Sequence, residues 1–170
     1  MNDKRNHKLE YNCLMLKFEM PNWADFVNSL IDANDVYNND ENSYGLEYEP
    51  HVNLLFGIHD YVGSDSFKNI LVPIRHIKCK APKISIFENK DFDVVKFDID
   101  GNYLHKINHD LRNNLDYTTS YPEYHPHMTI GYVKPGTGKK YKKRLKNPLL
   151  ITPTEYIYSK TDGTKENFFV

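Results

Sequence analysis

The segments EYEPHVNL (47–54) and EYHPHMTI (123–130) are two copies of one pattern, Glu-Tyr-x-Pro-His-apolar-polar-apolar. They lie 76 residues apart and are identical at four of eight positions, and a glycine follows each within a few residues, Gly57 and Gly131. A pattern repeated within one chain indicates repeated structural units. The repeat therefore predicts two structurally equivalent halves.

Each copy has the residue pattern of a β-strand that begins after a proline. Side chains two apart on a strand share a face, so His51 shares a face with Asn53, and His127 with Thr129. The apolar residues between them are expected to face the core: Val52, Leu54, Met128 and Ile130. Proline fixes the backbone just before each histidine and suits a strand start. Each strand thus offers one imidazole beside one polar group.

Two imidazoles across a shared cleft suit the cleavage of a phosphodiester. One neutral histidine takes a proton from a nucleophilic hydroxyl, and a second, protonated histidine gives a proton to the leaving oxygen. A histidine pKa of about 6.5 lets both forms exist near neutral pH. This chemistry requires neither a metal nor a cofactor, so none is expected.

Composition sets the broad class of the protein. The 170 residues, 39% hydrophobic and 26% charged, fit one domain spanning residues 1–170. A mean hydropathy of −0.68 without a long apolar run predicts a soluble protein that does not enter a membrane. The first residues lack the apolar stretch of a secretory signal, and Cys13 and Cys79 show no metal or disulfide spacing. A cytoplasmic protein with reduced thiols is expected.

The net charge of −1 hides a separation of charge along the chain. Residues 18–67 contain no Lys or Arg, whereas residues 134–146 contain seven and no acid. A basic segment of this kind is usually a solvated loop, which we favour, although it also suits an anionic ligand. Binding to duplex nucleic acid is not expected.

Apolar periodicity predicts a mixed order of strands and helices. Strands are predicted at 11–20, 51–58, 74–88, 91–99, 127–133, 151–159 and 166–169. Helices are predicted at 22–31, at 64–71 and around Leu104, Ile107, Leu111 and Leu115, with loops at 32–44 and 134–146. This is an α+β pattern.

The paired His-apolar-polar-apolar motif in two strand-and-helix halves resembles the 2H phosphoesterase superfamily. The resemblance implies a bilobal α+β fold, with two pseudo-symmetric halves, antiparallel sheets around a central cleft and outer helices. Within the superfamily, the segments LKFEMPNW (16–23), YEPHVNLLFG (48–57) and EYIY (155–158) look similar to phage anti-CBASS phosphodiesterases. That likeness implies metal-independent cleavage of 3′–5′ bonds in cyclic di- and trinucleotides such as 3′,3′-cyclic GMP-AMP. The protein would act as a monomer in the cytoplasm of an infected bacterium and prevent activation of its immune effectors.

The resemblance also implies roles for particular residues. The catalytic set is His51, His127, Thr129 and Asn53, and the substrate-binding set is Tyr11, Glu155 and Tyr158. Tyr11 could equally pack at a strand edge, and strand alternation accounts for Glu155 and Tyr158 nearly as well. His105 and His109 lie four apart on a predicted helix, but no carboxylate motif accompanies them, so no zinc site is predicted.

Position 53 departs from the family pattern, which places Thr or Ser there. Asn53 offers an amide but no hydroxyl. Losing one transition-state donor typically costs ~10²- to 10³-fold in rate. A natural variant, an engineered form for trapping a ligand, and a protein that binds cyclic nucleotides with negligible turnover all stay open. A further alternative is a 2H enzyme acting on 2′–5′ bonds or RNA ends.

Overall fold

A computed structural model describes residues 10–38 and 44–169 of the chain. The predicted loop at 32–44 thus falls partly outside the described residues, as do the first nine residues. The α-helices are α1 (Trp23–Leu30) and α2 (Leu104–Asn114). The strands are β1 (Asn12–Glu19), β2 (His51–Ile58), β3 (Cys79–Glu88), β4 (Asp93–Gly101), β5 (His127–Val133), β6 (Lys143–Ser159) and β7 (Lys165–Phe168).

The strands form one curved antiparallel sheet in the order β2-β1-β6-β3-β4-β5, with β7 beside β6. The long strand β6 joins the halves, since its N-terminal part pairs with β3 and its C-terminal part with β1. Strands β2 and β5 occupy the two ends of this order, yet they contact each other. The sheet therefore curls until its two histidine-bearing strands meet.

The two halves repeat one another in order and in register. Strands β1 and β2 flank α1, and strands β4 and β5 flank α2. His51 lies opposite Lys17, and His127 lies opposite Asp98, at the equivalent position of each antiparallel strand pair. The proline before each histidine accepts equivalent backbone bonds at 3.0 and 3.1 Å, from Phe18 to Pro50 and from Ile99 to Pro126. The predicted pseudo-symmetric halves are present.

Each helix follows a residue in the left-handed region. Asn22 has a φ of 61° and Tyr103 a φ of 67°, which makes them the two described non-glycine residues with positive φ. The side chain of Asn22 makes no cap hydrogen bond to α1. Its part in the fold is to turn the backbone, as the equivalent Tyr103 does before α2.

The segments that precede β2 and β5 cross over to the opposite half. We name residues 35–38 and 44–47 the first leader, and residues 116–124 the second leader. The first leader pairs with β5 through backbone bonds of 2.7–2.9 Å: Tyr37 N–H to Tyr132 O, Tyr132 N–H to Gly45 O, Glu47 N–H to Ile130 O and Lys134 N–H to Asp35 O. The second leader pairs with β2 at 2.9–3.0 Å: Thr118 N–H to Gly57 O and His59 N–H to Asp116 O. Each half therefore covers the open strand edge of the other.

The core lies on the sheet face opposite the histidines. Val52, Leu54, Met128 and Ile130 are fully buried, as the alternation predicted. Helix α2 adds the apolar stripe expected of it, Leu104, Ile107, Leu111 and Leu115. Because the core takes residues from both antiparallel strand pairs, the two halves share one apolar interior.

Three sequence predictions need correction. Residues 64–71 form two 3₁₀ turns, Ser64–Ser66 and Lys68–Ile70, because the stretch before Pro73 is too short to sustain a helix. The strand expected from residue 74 begins at Cys79, after another 3₁₀ turn. The basic loop ends early, because β6 begins at Lys143. In the part of the chain that the structure describes, no helix has the length and apolar character to cross a membrane.

The close contact between β2 and the second leader depends on a glycine. Gly57 has a φ of +95°, and a Cβ there would lie 1.9 Å from the carbonyl oxygen of Thr118 in the second leader. We expect Gly57→Ala to lower the free energy of unfolding by about 1–3 kcal/mol, the usual range for such strain. Urea denaturation of the variant measures this. Gly63→Ala is the matched control, since a Cβ at Gly63 meets nothing within 4 Å. Equal stability of the two variants would show that the crossing tolerates a side chain.

Candidate active site

The imidazoles of His51 and His127 are held by the same contact. His51 Nδ1 lies 2.7 Å from the carbonyl oxygen of Glu49, and His127 Nδ1 lies 2.8 Å from that of His125. A carbonyl oxygen only accepts hydrogen bonds, so Nδ1 carries a proton in each ring. Each neutral ring then has its lone pair on Nε2, the nitrogen left to exchange a proton with a ligand.

The two rings interact electrostatically across the contact between β2 and β5. Burial lowers the pKa of His127 below 6.5, while its bond to the His125 carbonyl acts in the opposite direction. The positive charges of Lys96 and His51 lower this pKa further, and Asp98 raises it. The second histidine therefore favours its neutral form.

A cavity of about 1030 Å³ contains the polar residues of both motifs. Asn53, His127 and Thr129 line it. His51 is not among the lining residues, but it precedes Asn53 by two positions on the same face of β2. We call this face of the sheet, which carries both histidines, the cleft face. Three of the four predicted catalytic residues thus share one cavity, and the fourth lies beside it.

Asn53 has an unusual polar environment. Its backbone carbonyl accepts a hydrogen bond of 2.9 Å from the Tyr124 hydroxyl, which fixes the strand to the second leader. Its side-chain oxygen is buried and has no hydrogen-bond partner among the described residues. Leaving a buried polar atom unpaired costs about 1–3 kcal/mol, so this amide is ready to pair with a ligand.

The walls of the cavity combine aromatic rings with cationic groups. Its aromatic lining consists of Tyr44, Phe56, Phe92, Tyr121, Tyr124, Tyr132 and Phe87, and its cationic lining of Arg112, Lys139 and Lys142. Arg112 also holds the second leader, since its guanidinium donates to the carbonyls of Pro122 and Tyr121 at 3.0 and 3.3 Å. Glu88 and Glu123 also line the cavity, and Lys139 lies 3.2 Å from Glu88. Flat aromatic surfaces beside cationic groups suit a ligand with bases and phosphates.

Phe56 and Tyr132 are cavity residues that the sequence predictions missed. Each lies five residues after its histidine, so they occupy equivalent positions of the repeat. Tyr132 packs with Tyr44 and Phe92 at ring distances of 5.0 and 5.3 Å, and Phe56 packs with Tyr11 at 6.3 Å. Extending the comparison of the two copies by two residues would have found this aromatic pair.

The predicted substrate-binding residues are placed differently from one another. The ring of Tyr11 contacts Phe56 at the border of the cavity and stacks on His59 at 5.9 Å. Glu155 shares the cleft face, where it forms an ion pair of 3.7 Å with Lys17, the residue opposite His51.

Tyr158 lies in the core, which corrects the expectation that it contacts a ligand. The residue is fully buried, and its hydroxyl donates to the carbonyl of Val62 at 2.6 Å and accepts from Asn12 at 2.7 Å. Positions three apart on a strand point to opposite faces, so Glu155 and Tyr158 do not share the cleft.

His105 and His109 have separate neighbours on α2. The His105 ring packs against Tyr124 at 5.4 Å, and His109 Nε2 is bonded to Asn113 at 2.9 Å. Within residues 10–38 and 44–169, no three His, Cys, Asp or Glu side chains are grouped as metal ligands. Of the two thiols, Cys79 is buried and Cys13 half-buried.

Comparison with known proteins identifies the fold. The chain matches no protein-family model, and it matches no curated protein. Among solved structures it is similar to that of Kluyveromyces marxianus Usb1 with uridine monophosphate, at 10% identity and a TM-score of 0.54. The likeness covers 96% of this chain and 99% of Usb1. The predicted α+β fold with two pseudo-symmetric halves is confirmed.

The coupling between the two imidazoles can be measured directly. We expect His127 to titrate below the ordinary value of about 6.5 in NMR spectra of the imidazole protons. In His51→Gln this pKa should rise, because a cationic neighbour is removed. His76→Gln, which changes an exposed imidazole in a 3₁₀ turn, is the control and should leave it unchanged. Identical His127 titrations in the wild type and His51→Gln would show that the rings do not share a site.

Proposed function

We propose that the protein is a phosphodiesterase that cleaves 3′–5′ bonds in cyclic di- and trinucleotides, with His51 and His127 as its acid and base. One observation carries the proposal. Two imidazoles from equivalent, touching strands are held by the same Nδ1-to-carbonyl bond, and each leaves Nε2 available. The resemblance to 2H phosphoesterases implies that the reaction proceeds without a metal.

The proposed reaction begins with the ribose 2′-hydroxyl beside the scissile bond. The base histidine removes the 2′ proton as the oxygen attacks phosphorus, and the acid histidine protonates the departing 5′ oxygen. The products are a free 5′-hydroxyl and a 2′,3′-cyclic phosphate, which water later opens. Thr129 and Asn53 hold the non-bridging oxygens as negative charge develops on them.

His127 is the better candidate for the base. A general base must be neutral before the reaction, and the lowered pKa of His127 keeps its Nε2 unprotonated near neutral pH. His51 is then the acid. A charge on His51 disfavours a second charge on His127.

The dimensions of the cavity support a substrate larger than one nucleotide. At about 1030 Å³ it reaches the upper end of the ~300–1000 Å³ typical of small-molecule sites. Its aromatic residues lie in both halves, with Phe56 on β2 and Tyr132 on β5. Usb1, which shares the fold, was solved with uridine monophosphate, a ligand of the same chemical class.

The sequence resemblance to phage anti-CBASS enzymes supports a role in immune evasion. Cleavage of a cyclic messenger such as 3′,3′-cyclic GMP-AMP in the infected bacterium would keep the host effectors inactive. We propose that the protein acts in the host cytoplasm for this purpose.

Asn53 favours a second candidate function, the sequestration of the same messengers. Its buried amide has unused hydrogen-bonding capacity, which suits binding, but it lacks the hydroxyl of the family motif. A protein of this kind would hold cyclic nucleotides with little turnover.

Incubation with 3′,3′-cyclic GMP-AMP, followed by chromatography, tests the proposed activity. We expect linear product from the wild type and a ~10²- to 10⁴-fold lower rate from His51→Ala and His127→Ala, since each removes a proton-transfer group with an effect of that size. A substrate with 2′-deoxyribose at the scissile bond should resist cleavage. Its cleavage at the normal rate would refute attack by the 2′-hydroxyl. Intact, protein-bound nucleotide would favour sequestration, and cleavage of only linear oligonucleotides would favour an enzyme acting on RNA ends.

Replacing Asn53 by threonine measures the importance of the missing hydroxyl. We expect Asn53→Thr to raise kcat by up to ~10²- to 10³-fold, the usual contribution of one transition-state donor. Asn69→Thr makes the same chemical change at an exposed turn and serves as the control. An unchanged rate in Asn53→Thr would show that the amide replaces the hydroxyl fully.

A further inference from the structure

A buried lysine lies on the cleft face next to the second motif. Lys96 on β4 is only 5% exposed. Its Nζ donates to Asp98 at 2.6 Å and to Ser85 at 2.7 Å, and it lies 4.1 Å from the centroid of the Phe87 ring. Lysine is almost never buried to this degree without a partner, and Asp98, Ser85 and the Phe87 ring are the partners here.

Strand register places this ammonium group beneath the proposed phosphate site. Lys96 lies directly opposite Thr129, and Asp98 lies directly opposite His127. Residues opposite each other on antiparallel strands share a face, with Cβ atoms about 4.5–5.5 Å apart. Phe87 covers the ammonium group and touches the His127 ring edge-on at 5.0 Å. Phe87 thus contacts both the Lys96 ammonium group, which it separates from water, and the His127 ring.

The cluster around Lys96 carries net positive charge. Lys83 on β3 lies 3.4 Å from the second carboxylate oxygen of Asp98, so two ammonium groups face one carboxylate. Burial alone would raise the pKa of Asp98, but hydrogen bonds from Lys96 and Ser85 hold it below its ordinary value. Asp98 therefore stays ionised and neutralises only one of the two cations.

The first half has no such charge at the equivalent place. Met15 lies opposite Asn53, where Lys96 lies opposite Thr129 in the second half. Lys17, opposite His51, is paired with Glu155, so that pair is neutral overall. The backbones are equivalent, but fixed positive charge is present in only one half.

We propose that Lys96 is a positioning residue that supplies fixed positive charge beneath Thr129 and His127, and that this charge favours an anionic phosphoryl group at the second half of the cleft. Its effect on catalysis rests on the proposed phosphodiesterase activity. Its effect on anion binding and on His127 does not.

Charge in a water-poor site acts more strongly than charge in solvent, and a fixed group needs no reorganisation during the reaction. The Lys96 charge contributes to the lowered pKa of His127, in agreement with this geometry. Other charged or titratable groups surround this part of the cleft. Strand β2 supplies His51, β3 supplies Lys83 and Glu88, and β4 supplies Asp98. The segment before β5 supplies Glu123 and His125, and the cavity wall supplies Lys139 and Lys142.

The first half supplies the substitution for the test, because Lys96→Met installs the residue found at its equivalent position. We expect kcat for 3′,3′-cyclic GMP-AMP to fall roughly 10- to 10²-fold, less than for a donor in direct contact, with KM changed less than about threefold. We also expect the NMR pKa of His127 to rise and the dissociation constant for inorganic phosphate to increase.

A second variant separates the effect of losing the Lys96 charge from the effect of leaving Asp98 unpaired. Lys96→Met with Asp98→Asn removes both charges of the ion pair, so no carboxylate is left unpaired if the single variant is unstable. Lys83 keeps the net charge of the cluster unchanged in this variant, so the comparison reports the position of the Lys96 charge rather than the net charge. We expect low kcat, weak phosphate binding and a raised His127 pKa to persist, since Lys96 outweighs Asp98 at this ring. The control is Lys106→Met, which removes the lysine of an exposed pair with Asp110 on α2 and should change none of these values.

Two results would overturn the role of Lys96. One is recovery of wild-type kcat, phosphate affinity and His127 pKa in the double variant, which would mean that Lys96 only neutralises Asp98. The other is an unchanged His127 pKa and phosphate affinity in folded Lys96→Met. Failure of the proposed function gives a different result, because a wild type without turnover still allows the pKa and phosphate comparisons to decide the role of Lys96.

Discussion

The reciprocal pairing of the two leaders is the constraint on which the rest of the structure depends. A sheet that ends in β2 on one side and β5 on the other would leave two open edges, which proteins normally cover or protect. Here the first leader bonds to β5 and the second leader bonds to β2. Each leader runs directly into the histidine strand of its own half. The covering of one edge therefore also fixes the position of the other half's imidazole.

Within this symmetric backbone, the two halves carry different side chains. The second half combines a hydroxyl at Thr129 with the cation of Lys96, and the first half combines an amide at Asn53 with the thioether of Met15. The same Nδ1-to-carbonyl hydrogen bond fixes the same tautomer of the histidine in both halves. The electrostatic surroundings differ, and burial with the nearby cation of Lys96 lowers the pKa of His127. A duplicated motif can in this way support two distinct roles.

The sequence predicted the local elements better than the contacts between them. The bounds of β2 and β5 matched, because proline before the strand and a period of two are encoded within a few residues. The buried Lys96 was not predicted, because its partners lie on β3 and on its own strand and only the register brings them together. Tyr158 was misplaced because it was put in one substrate-binding set with Glu155, although positions three apart on a strand point to opposite faces. The crossing of the leaders depends on contacts between distant parts of the chain, which no local pattern reports.

The crossed leaders also determine when a usable pair of imidazoles can exist during folding. The bond between Glu47 and Ile130 joins positions more than eighty residues apart in the chain, and β6, which connects the halves, comes after both. Contacts of such long range form only when most of the molecule is in place. A chain that ends before β6 accordingly lacks the strand that joins the two halves, so it cannot hold the two imidazoles at one cleft.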